Sequence, residues 1–247
     1  DSFKKTFEKL AKRILFIHKF NYRNPYLISD QKLNYIYKKL VSKTIPKKPF
    51  IFFALHYQPE LSTVPLGNNF SDLNLVVDML ASIGQRKGFN IVVKKHPRID
   101  SRQFFRPKDI YQKMDCHENV FLLDSSLDAT KLISESMAVA SVTGSTCWEA
   151  FLRKKPALLF GNLIYENAPG VFKIESNKDL DDAISKIIKN KVKTTELDII
   201  NYLKFLEKRT FDNVYQKSFF AAPRYLTPED LRKNFVDNLE QKILENS

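Results

Sequence analysis

Short apolar runs alternate with helix-period segments through most of this chain. Phe50-Ile51-Phe52-Phe53-Ala54-Leu55, Ile91-Val92-Val93, Asn119-Val120-Phe121-Leu122-Leu123, Val139-Ala140-Ser141-Val142 and Pro156-Ala157-Leu158-Leu159-Phe160-Gly161 are short and continuous. That texture predicts strands buried on both faces rather than half-exposed ones. Val171 to Ile174 predicts a sixth strand. Between the runs, helices are predicted from Asp72 to Ile83, 107–114, Asp128 to Ser136, Thr146 to Arg153 and Lys178 to Ile188. Strand–helix repetition of this kind builds a doubly wound parallel sheet with right-handed crossovers. The predicted class is therefore α/β and Rossmann-like, with flanking helices at both ends.

Those flanking helices are read at 2–20, 30–43, 194–208 and 228–245. Phe3, Phe7, Leu10, Ile14 and Ile17 recur at helical spacing in the first, and Leu33, Ile36, Tyr37 and Leu40 in the second. Thr227-Pro228-Glu229-Asp230 carries the cap, proline and acids of a helix start. Lys43-Thr44-Ile45-Pro46-Lys47-Lys48-Pro49 reads as a proline-bounded linker. The predicted organisation is a helical segment and linker at 1–48, a nucleotide-sugar-binding domain at 49–190 and helices at 191–247.

Ligands of such sheets lie beyond the carboxyl ends of the strands, and the polar residues gather there. Thr143-Gly144-Ser145-Thr146 ends the fourth run and opens a helix. Free N–H groups and hydroxyls at such a turn suit a phosphate. Glu149, one helical turn on, would accept from ribose hydroxyls. The alternative is that Ser145 or Thr146 caps the helix and Glu149 completes a capping box. Val93-Lys94-Lys95-His96-Pro97 ends the second run. Lys94 and Lys95 alternate sides, so one faces a ligand, and His96 would bond phosphate as imidazolium or act as an acid. Leu55-His56-Tyr57-Gln58-Pro59-Glu60 follows the first run. His56 and Glu60 there would supply a base, an acid or a ligand for an acceptor hydroxyl. Arg98 and Arg102 are within reach of an anionic substrate. For each of these the plainer alternative is a solvated or capping loop residue.

Composition narrows the classes. The 40 Lys and Arg against 28 Asp and Glu leave a charge of +12, which suits phosphorylated substrates, an anionic membrane face or nucleic acid. No basic block is long enough for a nucleic-acid arm, and the aromatics fall at core positions rather than as stacking platforms. Nucleic acid therefore ranks last. Cys116 and Cys147 form no disulfide framework or CxxC pair, which suggests a reducing, cytoplasmic setting. No apolar run reaches the roughly 18 residues of a membrane span. Metal-ligand spacings, Walker A, GxSxG and GxGxxG motifs are missing, so no metal or dinucleotide cofactor is expected. Cys147 beside Trp148 reads as packing, and His18 and His117 as structural and surface residues. The chain starts at Asp1 rather than Met, which suggests part of a longer protein.

Taken in order, the motifs at 55–60, 93–97, 119–120, 143–150, Lys155 to Gly161 and Tyr165 resemble the capsule polysaccharide biosynthesis and export group of bacterial glycosyltransferases, which includes the Kdo transferases. The resemblance covers about residues 50–190. It implies the nucleotide-binding, carboxyl-terminal half of a GT-B enzyme that moves a sugar, with Kdo the leading candidate, from a CMP donor to a glycan or glycolipid. It implies donor-phosphate contacts at His96 and Pro97 and at the Thr143-Gly144-Ser145-Thr146 turn, a ribose or ordering role for Glu149, and cleft roles for His56, Gln58 and Glu60; Lys94, from its own place at the strand end, is expected to join them in binding the nucleotide-sugar. Residues 1–48 are too short and too helical to be the acceptor-binding half of such an enzyme. The alternatives are a UDP- or GDP-sugar transferase, or a non-catalytic scaffold on the inner face of an anionic membrane.

Overall fold

A computed structural model describes residues 30–55, 65–96 and 109–208. Its six strands form one sheet: β1 (Phe50–Leu55), β2 (Asn90–Lys95), β3 (Val120–Leu123), β4 (Ala138–Ser141), β5 (Ala157–Leu159) and β6 (Val171–Lys173). The order across the sheet is β3-β2-β1-β4-β5-β6, and every pair is parallel. The doubly wound parallel sheet predicted from the pattern is therefore present. Helices α1 (Asp30–Leu40), α2 (Leu73–Lys87), α3 (Ile110–Asp115), α4 (Ala129–Glu135), α5 (Thr146–Leu152), α6 (Asn177–Ile188) and α7 (Glu196–Glu207) fall close to their predicted spans. A short 3-10 turn at Asn68–Ser71 had no sequence signal. The helices predicted at 2–20 and 228–245 lie outside the described residues.

Local chemistry sets the boundaries. Asp72 accepts from the Asn74 N–H at 2.9 Å and starts α2. Gly88, at φ 80°, ends it in the left-handed conformation that favours glycine. Asp128 starts α4 by accepting from Thr130 N–H at 2.9 Å. Ser176 caps α6, and Asp179 reaches back to the Ser176 hydroxyl at 2.8 Å.

Side chains alternate across the sheet. Ile51, Phe53 and Leu55 of β1, Ile91 and Val93 of β2, and Ala138 and Ala140 of β4 share one core with α1, α2, α3 and α6. The intervening positions turn to the other face, where α5 packs on β4 and β5. Each fully buried Phe, Ile or Leu contributes roughly 1.5–3 kcal/mol by leaving water.

Helix α1 belongs to this core. Leu33 and Tyr37 are buried in it, and Tyr37 packs on Tyr111 at a ring separation of 4.8 Å. After α1, Ser42 bridges to Leu123, bonding Leu122 O at 2.9 Å and accepting from Asp124 N–H at 3.0 Å. The chain's compact units divide between Thr195 and Glu196, so the sheet and α1 lie in the first and α7 starts the second. Within α7, Tyr202 and Phe205 stack at 5.8 Å.

Candidate functional site

The strand order reverses between β1 and β4. The crevice of a doubly wound sheet opens at that point, beyond the carboxyl ends. Lys94 pairs across the sheet with Ala54, and Phe53 pairs with Ala140, so Lys94, Ala54 and Ser141 lie in one row. Ala54 is the one residue of β1 that is not buried. Its small side chain lies in that row between Lys94 and Ser141.

The adjacent lysines have separate jobs. Lys95 is 1% exposed. Its ammonium donates to Asn34 Oδ1 at 2.8 Å and sits 4.5 Å from the Tyr37 ring centroid. Tyr37 also accepts from the Lys95 N–H at 3.2 Å and donates to the Leu123 carbonyl. Lys95 is thus bound up with α1. Lys94 turns to the opposite face and is 6% exposed. Among the described residues its ammonium makes no hydrogen bond or close ion pair. Burial pulls its pKa below the ordinary 10.5, opposed by the carboxylates of Asp128 and Asp124. An unpaired buried ammonium is costly and favours an anion beside it. His96, the next residue but one, is exposed.

The 143–146 turn is held from several directions. Gly144 N–H donates to Ser141 Oγ at 3.0 Å, and Gly144 C=O accepts from the Tyr165 hydroxyl at 2.6 Å. The helix-capping alternative does not materialise: Ser145 makes no side-chain cap bond, and its hydroxyl lies 3.3 Å from Glu149 Oε1. The first direct helix bond is Glu149 N–H to Ser145 O at 2.9 Å. Among the described residues, the N–H groups of Ser145, Thr146 and Cys147 find no acceptor. Cys147 is fully buried, so its N–H is an orphan of the kind folded proteins rarely keep without a ligand or water. Thr143 is buried, Ser145 exposed, and Gly144, Thr146 and Glu149 are part-exposed.

The loop after β5 forms the wall behind the turn. Gly161 N–H donates to Val142 O at 2.8 Å. A Cβ at Gly161 would lie 2.5 Å from that oxygen and 2.6 Å from Thr143 Cγ2, so only glycine fits. Lys173 donates to Gly161 O at 2.7 Å and to Asn162 Oδ1. Tyr165 packs its ring on Trp148 at 5.5 Å. Burial raises the Tyr165 hydroxyl's pKa, as does the neighbouring Cys147, while a backbone bond from Trp148 opposes the shift. Burial likewise raises the Cys147 thiol above its ordinary range, and the side chain packs under β4 and β5 with its sulfur 3.5 Å from Leu158 O. It is core, as its sequence setting suggested.

His56, Glu60 and Pro97, with Gln58, Arg98 and Arg102, lie outside the described residues. Among the described candidates, the fold brings Lys94 and the 143–146 turn to the same sheet edge. Ser141, Gly161, Tyr165 and Lys173 shape that edge too. Gly161 and Tyr165 stood among the ordered motifs without an assigned role, and Ser141, inside a strand, and Lys173 carried no sequence signal of their own. Among the described residues no cluster of His, Cys, Asp or Glu could hold a metal ion. A groove of about 490 Å³ lies at the opposite edge, where Pro49, Phe89, Met137 and Pro156 lead into the strands.

A family model described as "Capsule polysaccharide biosynthesis protein" matches residues 7–198. The chain belongs to that family. The match runs through all six strands and spans every motif read from the sequence. No curated protein matches this family member. Solved structures that resemble it include a Thermosulfurimonas dismutans KpsC, beta Kdo 2,7 transferase, at 15% identity and TM-score 0.41, covering 62% of this chain and 50% of that one. A KpsC beta Kdo 2,4 transferase from the same organism stands at 17% and 0.39, covering 70% and 61%. A UDP-GlcNAc 2-epimerase from Methanocaldococcus jannaschii stands at 13% and 0.46, covering 76% and 51%. The chain spans about half the length of the first of these. Among the described residues no helix is long and apolar enough to cross a membrane.

Proposed function

We propose that this chain is the nucleotide-binding half of a glycosyltransferase in capsule polysaccharide assembly. The donor's phosphate sits at the β1/β4 crevice. The observation that carries this reading is the run of N–H groups at Ser145, Thr146 and Cys147, the last fully buried, that find no acceptor among the described residues, at the sheet edge that also holds the buried Lys94. Membership of the capsule family supplies the biological setting.

The chemistry follows from charge. Breaking the bond between the sugar's anomeric carbon and the phosphate oxygen leaves negative charge on the departing nucleotide. Preorganised N–H donors and an ammonium in a water-poor site stabilise that charge without reorganising. Lys94 and the 143–146 turn are assigned that task. His96 and Pro97 extend the phosphate contact from the end of β2, and Glu149 accepts from ribose hydroxyls. His56 and Glu60, on the segment leaving β1, act on the acceptor hydroxyl as base or acid. With lysine and N–H groups in that place, the transfer runs without a metal. The donor is a CMP-sugar, with Kdo as the sugar, which extends the resemblance of the ordered motifs. The acceptor is a glycan or glycolipid, and the +12 charge favours peripheral contact with an anionic inner membrane face.

Calorimetric titration with CMP, UDP and GDP tests the reading. CMP is expected to bind most tightly, and His96→Ala and Ser145→Ala each to lose glycan synthesis with an unchanged melting curve. Wild-type protein that binds none of the three nucleotides removes the phosphate site. Strong UDP or GDP binding without CMP binding replaces the donor class alone.

A further inference from the structure

We propose that Tyr165 is a positioning residue for the phosphate turn: its hydroxyl, bound to the Gly144 carbonyl, sets the direction of the Ser145 N–H. This rests on the phosphate site proposed above and adds to it a residue that touches no donor atom.

In an α-helix each N–H bonds the carbonyl four residues back. Trp148 and Gly144 stand in that relation. Instead, the Gly144 carbonyl accepts from the Tyr165 hydroxyl at 2.6 Å. A side-chain hydroxyl therefore holds the carbonyl that an earlier helix bond would use. Insertion of a side chain into the ladder is a known way to open a helix end. The other side of Gly144 is held as well, its N–H donating to Ser141 Oγ at 3.0 Å. The Gly144–Ser145 peptide is planar and trans, so its C=O and N–H point in opposite directions. Drawing the carbonyl toward Tyr165 turns the Ser145 N–H away from Tyr165. Tyr165 follows β5, and β1 flanks β4 on its other side, where the crevice opens.

The hydroxyl is itself firmly placed. Tyr165 is 7% exposed and packs on Trp148. Its loop is tied to the turn by Gly161 N–H to Val142 O at 2.8 Å. Lys173 anchors the loop's start through Gly161 O and Asn162 Oδ1, with Glu166 3.9 Å away. Remove the hydroxyl alone, and Gly144 C=O and Trp148 N–H either bond each other or stay unsatisfied. Direct bonding starts the helix one residue earlier and redirects the Ser145 N–H.

The test is calorimetry on the chain with its tightest nucleotide and with the matching nucleoside, which lacks the phosphate. Tyr165→Phe keeps the ring on Trp148 and removes only the hydroxyl. It is expected to weaken nucleotide binding about ten-fold, the effect of one misdirected hydrogen bond, and to leave nucleoside binding within about two-fold. Ser141→Ala, which frees the Gly144 N–H, is expected to give the same selective loss and serves if the first variant folds poorly. Equal losses for nucleotide and nucleoside would mean general loosening and overturn the proposal. Unchanged nucleotide affinity in both variants overturns it too. Wild-type chain that binds no nucleotide overturns the phosphate site itself, and that result is read before any variant is made.

Discussion

Replacing Lys94 with methionine should move stability and binding in opposite directions. Lys94 is 6% exposed and among the described residues has no direct hydrogen-bonding or ion-pair partner for its ammonium, only the more distant pull of Asp128 and Asp124, so the folded protein bears much of the cost of desolvating it. Methionine has nearly the same length and no charge. Exchanging an unpaired buried charge for an apolar side chain of similar volume should stabilise the fold by about 1–3 kcal/mol. In a domain near 200 residues that raises the melting temperature by roughly 2–12 °C. Binding should fall, because a charge-assisted bond to phosphate is worth about 1.5–3 kcal/mol, or roughly 10- to 150-fold in Kd. The pH dependence gives a second signature. Burial holds the folded pKa of Lys94 below 10.5. Between the folded and unfolded values the unfolded chain carries more protons, so stability rises with pH across that window. Nucleotide affinity falls as pH climbs through the folded value, since the ligand needs the charged form. Lys94→Met should lose both slopes. Differential scanning calorimetry and nucleotide titration between neutral and alkaline pH measure them. A methionine variant that melts lower than wild type and binds nucleotide equally well would refute the reasoning.

Gly161→Ala should destabilise by about 1–3 kcal/mol, because its Cβ would press on backbone oxygens of Val142 and Leu66 that cannot rotate away; an unchanged urea midpoint would contradict the close approach. Ser176→Ala should cost about 1 kcal/mol through loss of the α6 cap, read from the same urea curve. Asp179 bonds Ser176, which holds its carboxyl below the ordinary range. Its contribution is therefore present above the unfolded value and lost as pH falls through the folded one, and Asp179→Asn should flatten that acid limb. Iodoacetamide should modify exposed Cys116 in the native protein and reach buried Cys147 only after unfolding, as peptide mass mapping would show.

The sheet was legible because its strands are buried on both faces, and Phe50 to Leu55 and Ile91 to Val93 read as uninterrupted apolar runs. Asp72 and Asp128 marked helix starts through chemistry local to a few residues, whereas α2 runs past its predicted end at Ile83 to the Gly88 cap. What escaped depends on pairing across the chain. The sequence could say that Lys94 and Lys95 face opposite ways; which one serves α1 depended on Tyr37 and Asn34, some sixty positions upstream. Capping by Ser145 was a sound local expectation. It gave way because Tyr165, twenty-one residues from Gly144, occupies the carbonyl that an earlier helix start would use. The linker at 43–49 reads as a boundary, yet Ser42 just before it is paired to the edge of β3.

That pairing governs how the gene can be cut for expression. A version trimmed at Pro49 to isolate the bare sheet would discard α1, baring Leu123 and stripping Lys95 of Asn34 and the Tyr37 ring. A cation buried for the sake of that helix would then sit on an unroofed apolar edge, a recipe for inclusion bodies. Boundaries drawn at or before Asp30 keep the roof with the sheet it covers.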